Sequence, residues 1–377
     1  MNILRQLHTT NRSLIIGTTY KNKFSSSLKI IQNNTNYLRR FYSDNHTTNS
    51  NTTERKDRYK LIFQYRGNNY DGYQKQNNKG EPRGNTIQKH IEGSLHKLFN
   101  TNDIYIVGSS RTDSGVHALH NTCHFDVASE IIEKRENYTA KNVIFGLNFY
   151  LKDEDIVICS CEKKDMNFHA RHRVKEREYQ YRVLLTGPKP DLAYKVPFIQ
   201  DQYWIVNGAK YEQGGPTKQE ISLDFRSLET YFRIDDVREA CQYFIGTHNF
   251  NNFCKSDLPE RVSRIKTINS VTVEEIDLQQ DQTISPLFFS TSKCKEIRFT
   301  IRGNSFLHNQ VRIMVDALVK VGIGKMNPTY LRALVQNPNM RYPEKGSAPP
   351  HGLFLTNVVY YPDDVVLEPP SDFDFDE

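Results

Sequence analysis

No aspartate or glutamate occurs in residues 1–43, a stretch that carries Arg5, Arg12, Lys21, Lys23, Lys29, Arg39 and Arg40. No lysine or arginine occurs in residues 363–377, which hold seven acidic side chains. The two ends cancel, so the formal charge of +6 belongs to the body of the 377-residue chain. A body so mildly basic admits a polyanionic partner without requiring one. Long apolar runs are missing as well. Stretches such as "SLIIG" fall far short of the ~20 residues of a membrane span, and no membrane partner is expected. The six cysteines, Cys123, Cys159, Cys161, Cys241, Cys254 and Cys294, form no CxxC pair and no regular framework. Scattered thiols suit a reducing compartment and a fold without disulfides. Glycine and proline, at 19 and 15 residues, are too few for a fibrous or low-complexity chain.

The basic, acid-free start has the composition of an organelle transit peptide, with "LRRFYS" at 38–43 as a processing region. The polar stretch "DNHTTNSNTT" then reads as a linker. Residues 1–55 are therefore expected to be a transit peptide and disordered linker, with the mitochondrion as destination and the cytoplasm as the alternative. Residues 363–377 read as an acidic disordered tail.

Between these ends, "YKLIFQY" (59–65) alternates with a strand period. "TIQKHIEGSLHKLF" reads as a helix capped by Thr86, with Ile87, Ile91, Leu95 and Leu98 on one face. "DIYIVGS" and "HNTCHFDV" read as strands on either side of a loop. "DIVICSCEKK", "REYQYRVLL", "SVTVEEI", "KEIRFTIRG" and "LFLTNVVY" read as further strands. "IDDVREACQYFIG" reads as a helix stopped by Gly246, and "SFLHNQVRIMVDALVKVG" as a long apolar helix ending at Gly322. Strands that often follow one another directly predict an α+β fold with a largely antiparallel sheet. Two similar α+β halves dividing near residue 165 fit this order: 56–165 and 166–362.

Three stretches carry candidate chemistry. "GSSRTDSGVHALH" (108–120) places Arg111 two residues before Asp113 in a loop of small residues. A cation folded back onto a carboxylate favours the ionised form, which can act as nucleophile or base. The same Asp-Ser-Gly letters occur in aspartic proteases, but only one such tripeptide is present, so a dimer would have to supply the second carboxylate. His117, His120, Cys123 and His124 lie close in sequence, yet His124 and Cys123 face opposite sides of a strand and no second cluster completes a zinc site. "NFHARHRVKEREYQYRV" (167–183) interleaves Arg171, Arg173, Lys175, Arg177 and Arg182 with His169, His172, Tyr179 and Tyr181. Cations among aromatics suit nucleic acid, and an exposed charged edge strand is the plainer reading. Arg312 stands in a mostly apolar helix, as a snorkelling side chain or as the partner of a buried carboxylate.

Taken together, these stretches resemble the TruA-type tRNA pseudouridine synthases. "SRTDSGVHA" (110–118) is similar to that family's signature loop, "FHARHRVKEREYQY" to its linker and tyrosine strand, and "NSFLHNQVRIMV" to its Val-Arg helix. "YRGNNYDGYQKQ", "FIGTHNFNNFCK" and "APPHGLFLTNVVYY" extend the likeness over roughly 58–362. The resemblance implies two ferredoxin-like halves whose sheets join around a basic cleft, in a homodimer that grips tRNA. It implies conversion of uridine to pseudouridine at tRNA positions 38 to 40, without metal or cofactor. It casts Asp113 as the catalytic aspartate, Arg111 as its paired arginine, Tyr179 as the tyrosine that stacks on the target base, and Arg312 as an active-site arginine. A non-catalytic RNA-binding or RNA-folding protein on the same scaffold is the alternative. Ser110 replaces a usual glycine, Ser114 a usual alanine, Tyr73 a frequent tryptophan and Gln310 a common methionine; none of these removes a catalytic group.

Overall fold

A computed structural model describes residues 55–78, 81–186, 200–207, 232–278 and 295–365. The expected transit segment, most of the acidic tail and the long segments near 207–231 and 278–294 lie almost wholly outside these residues. In chain order the strands are β1 (Lys56–Tyr65), β2 (Gln76–Asn78), β3 (Glu81–Arg83), β4 (Ile106–Gly108), β5 (His117–Ala128), β6 (Ile156–Lys164), β7 (Val174–Thr186), β8 (Trp204–Asn207), β9 (Gly246–Asn249), β10 (Ile265–Asp277), β11 (Lys295–Gly303) and β12 (Leu353–Tyr360). The helices are α1 (Ile87–Phe99), α2 (Ser129–Glu133), α3 (Ala140–Tyr150), α4 (Ile234–Gln242), α5 (Gln310–Gly322) and α6 (Pro328–Gln336). The fold is α+β, as the sequence leads one to expect.

Among the described residues ten strands form one sheet, ordered β6-β1-β5-β12-β7-β11-β10-β9, with β4 on β5 and β8 on β7. Most pairs are antiparallel. The exceptions are β5 with β12 and β7 with β8. The last strand is the seam: β12 runs parallel to β5 on one side and antiparallel to β7 on the other. Side chains of directly paired residues point to the same face of a sheet. One row, Tyr65–Ala118–Leu355–Tyr179–Ile301–Val271, therefore crosses six strands on a single face. Every member of that row is buried.

On that face, Leu61, Phe63, Cys123, Phe125 and Ile158 join α1 and α3 in the core through Ile91, Leu95, Val143 and Leu147. Further along, Phe299, Ile301 and Val271 join Val237 of α4, Ala317 of α5 and Leu331 of α6. Thr86 caps α1 as expected, its side chain accepting from the Lys89 N–H.

Two helix boundaries differ from expectation. α4 ends at Gln242, and Gly246 opens β9 in a left-handed conformation (φ +110°) instead of stopping the helix. α5 begins only at Gln310, because Asn309 takes φ 62° and reverses the chain before it. Residues 305–309 thus form a turn, not the first turns of a helix. Sequence periodicity also missed α3, whose Phe145 and Phe149 are exposed and blur its apolar stripe.

Candidate active site

The Asp113 loop, residues 109–116, spans β4 and β5 and is fastened at several points. Ser109 N–H donates to the Thr122 carbonyl at 2.7 Å, continuing the β4–β5 ladder. The Thr112 hydroxyl meets the Tyr65 hydroxyl at 2.8 Å, and the Thr112 carbonyl accepts from Tyr73 N–H at 3.0 Å. Asn121 donates from its amide to Tyr65 Oη (3.2 Å) and to the Ser110 carbonyl (3.3 Å). Its Oδ1 accepts from the Ser109 hydroxyl at 2.9 Å. Buried polar groups cost free energy unless bonded, and this loop bonds several of its own. The turn closes with Val116 N–H on the Asp113 carbonyl at 3.2 Å, and Gly115 supplies the φ of +78° that the turn requires.

Side chains alternate along the loop. Ser110 and Thr112 are buried, Arg111 between them is exposed, and Asp113 is half-buried at 24 % side-chain exposure. Asp113 Oδ2 lies 3.3 Å from Arg312 Nη1, across 199 residues of chain. Its Oδ1 lies 3.4 Å from His308 Nε2. Arg312 does not snorkel: its side chain is 15 % exposed, its Nε donates to the Ala348 carbonyl at 2.7 Å, and its Nη1 also reaches Asn309 Oδ1 at 3.1 Å. The first turn of α5 therefore delivers a guanidinium to the Asp113 carboxylate while the Ala348 carbonyl and Asn309 Oδ1 hold that guanidinium in place.

Tyr179 sits on the same sheet row as Tyr65 and is 7 % exposed, with Phe306 edge-on at 5.2 Å. Burial pushes its phenol up to about 12; the Asp113 charge adds to the rise, and Arg177 and the Ser110 side chain oppose it. The phenol is thus protonated at neutral pH and available as a donor. In this state Phe306 and the buried setting leave only a small part of the ring open to an incoming base.

The basic segment 167–183 is used differently from the sequence reading. β7 is a central strand, not an exposed edge. Arg177 donates to the Ser109 carbonyl from Nη2 (2.6 Å) and Nε (3.2 Å), to Ser110 Oγ (3.1 Å), and to the Asn304 carbonyl. It ties the Asp113 loop to the segment that precedes α5. Arg173 donates to the Pro362 and Val365 carbonyls, and Arg182 pairs with the buried Glu296 at 3.2 Å. These three guanidinium groups fasten the protein to itself; Lys175 is exposed.

The histidines near the loop have structural partners. His117 Nδ1 accepts from Gly67 N–H at 3.1 Å, so Nε2 carries the proton toward the Asp201 and His351 carbonyls. Burial lowers this imidazole to about 4. His124 Nδ1 accepts from Ala170 N–H at 3.1 Å. Among the described residues no group of His, Cys, Asp and Glu could hold a metal ion, and no helix is long and apolar enough to cross a membrane.

Sequence reasoning overlooked His308, although it stands four residues before Arg312. The anchors Tyr65 and Asn121 gave no local signal, and Arg177 was visible only as one cation of a basic stretch, since each acts through contacts with the Asp113 loop.

The fold belongs to the α+β class, and its site sets an ion-paired carboxylate close enough to a buried tyrosine for its charge to act on the phenol. The chain belongs to the tRNA pseudouridine synthase family: the pattern carrying that description matches residues 61–172 and 240–361. Asp113, His308 and Arg312 fall inside those ranges, and Tyr179 lies between them. A tRNA pseudouridine synthase A of Bacillus cereus is 34% identical over 311 residues, covering 81% of this chain and 99% of its own length. Its counterpart in Exiguobacterium sp. is 32% identical over 304 residues, covering 80% and 98%. That of Anaplasma phagocytophilum is 30% identical over 305 residues, covering 80% and 100%.

Proposed function

We propose that this chain converts uridine to pseudouridine in the anticodon arm of tRNA, at positions 38 to 40, with Asp113 as nucleophile. The reaction breaks the bond from N1 to the ribose C1′, turns the uracil, and joins C5 to C1′. The C5 proton is released and N1 gains one, so atoms and electrons balance without an oxidant or reductant. A stacked base hides both bonds, so the nucleotide must be flipped out, at a cost of a few kcal/mol. Asp113 then attacks the sugar or the ring. Arg312 steadies its charge, Tyr179 offers ring surface and a proton-bearing phenol, and Arg111, two residues before Asp113, takes the part of its paired arginine.

The observation that carries this reading is the half-buried Asp113 carboxylate, held by Arg312 and open to one side. Family membership supports the reaction. Purified protein incubated with unmodified, uridine-containing tRNA should yield pseudouridine in the anticodon arm. Binding without product would favour the RNA-folding alternative instead.

The two parts of Tyr179 can be separated. Tyr179→Phe keeps the ring and removes the hydroxyl; a rate about 10²-fold lower with unchanged tRNA affinity is expected if the phenol moves a proton. Tyr179→Leu should fall further, because base–aromatic stacking contributes about 1–3 kcal/mol. Equal rates in the two variants would remove the stacking role.

The protein is further read as a mitochondrial homodimer. A fusion of residues 1–55 to a fluorescent reporter should enter mitochondria, and a diffuse cytosolic signal would overturn that destination. Light scattering of the purified protein should give twice the chain mass; a monomer mass would overturn the dimer.

A further inference from the structure

We infer that His308 is a positioning residue for Asp113: its imidazole Nε2 holds Oδ1 of the carboxylate while Arg312 holds Oδ2, and together they fix which lone pairs face the substrate. The inference rests on the reading of Asp113 as nucleophile.

A guanidinium that grips a carboxylate through two parallel N–H groups fixes its plane. Arg312 is not placed to do this with the pair of groups it uses here. Its Nε is turned to the Ala348 carbonyl at 2.7 Å, and its Nη1 is shared between Asp113 Oδ2 and Asn309 Oδ1. A carboxylate held at one oxygen still turns about its last side-chain torsion, which is intrinsically broad. A second contact at the other oxygen removes that freedom. His308 Nε2, at an ion-pair distance of 3.4 Å from Oδ1 and longer than a close hydrogen bond, is the group next to the oxygen that Arg312 leaves unheld.

The backbone around His308 is built to aim it. Leu307 N–H donates to Gln310 Oε1 at 2.8 Å, and the His308 carbonyl accepts from Lys255 N–H at 3.1 Å. Asn309 follows in a left-handed conformation, φ 62°, unusual for a residue with a side chain. Its Oδ1 bonds Arg312 and makes no cap bond to α5. The two residues of this turn thus address the two sides of one ion pair. His308 is also the more exposed of the two partners of the carboxylate, its side chain 46 % exposed against 15 % for Arg312.

Turnover and tRNA affinity of the full chain separate this role from a folding or binding role. His308→Ala should lower kcat about tenfold, since reacting groups lose rate steeply when their aim is relaxed. Its tRNA Kd should stay within about twofold, because the imidazole acts through Asp113. His308→Gln places an amide N–H near the position of Nε2 and should recover most of the lost rate. Wild-type kcat in His308→Ala, a loss confined to Kd, or a glutamine variant as slow as the alanine one would each overturn the inference. Asp113→Asn, assayed in parallel, keeps the two readings apart. An inactive Asp113→Asn beside a fully active His308→Ala rejects only the positioning role, whereas an active Asp113→Asn rejects the nucleophile itself.

Discussion

Asp113→Asn is expected to abolish pseudouridine formation, by about 10⁴-fold or more, the scale on which loss of a nucleophile is felt. The amide matches the carboxylate in shape and has no charge with which to attack. The fold should tolerate it. Arg312 keeps the Ala348 carbonyl and Asn309 Oδ1 as acceptors, and Asp113 contributes to its turn through a backbone carbonyl that any residue supplies. The loop remains fastened through Ser109, Ser110 and Thr112, none of which the substitution touches. Affinity for unmodified tRNA should therefore stay within about threefold, since electrostatic binding spreads over many phosphate contacts. Quantitative mapping of the product together with a binding isotherm checks both halves. Substantial turnover in the asparagine variant would remove Asp113 from the chemistry.

Gly67→Ala is expected to cost about 3 kcal/mol of stability, near the upper end for steric overfilling. A Cβ at this position would stand 2.0 Å from the Val116 carbonyl oxygen and 2.6 Å from its carbon. These are backbone atoms that cannot swing aside. Val116 closes the Asp113 turn, so the same displacement should also slow catalysis. Gly93→Ala, inside α1 with nothing within 4 Å of its added carbon, is the natural contrast and should gain about 0.5–1 kcal/mol from the better helix former. Urea midpoints of the two variants, measured side by side, decide the matter. A Gly67→Ala protein as stable as the parent would mean that the segment after β1 and the Val116 turn can separate at little cost.

Glycine at these positions illustrates a wider division. Gly115 is legible from its neighbours, because Asp-Ser-Gly marks a turn wherever it occurs. Gly67 is not, because its constraint is the approach of a segment nearly fifty residues away in the chain.

The strands of the sheet were readable because alternation of apolar and polar side chains is a local property. β1, β6, β11 and β12 lie where their periodicity places them. α1 was readable from Thr86 and its four-residue spacing for the same reason. Asp113 and Arg312 were each conspicuous, one in a small-residue loop and the other as a cation among apolar neighbours. Arg173, Arg177 and Arg182 were conspicuous too, and for these three local reading misled. A guanidinium looks alike in sequence whether it awaits a phosphate or holds a carbonyl.

Residue order alone settled the α+β class, most strands, the first helix and the chemical types offered for catalysis, since each depends on contacts within a few residues. Tertiary structure decided that β12 would join the two parts of the sheet, that Asn309 would turn the chain before α5, and that Asp113, His308 and Arg312 would meet. Those outcomes depend on strand register and on side chains far apart in the chain, and register is a property of the assembled sheet rather than of any one segment.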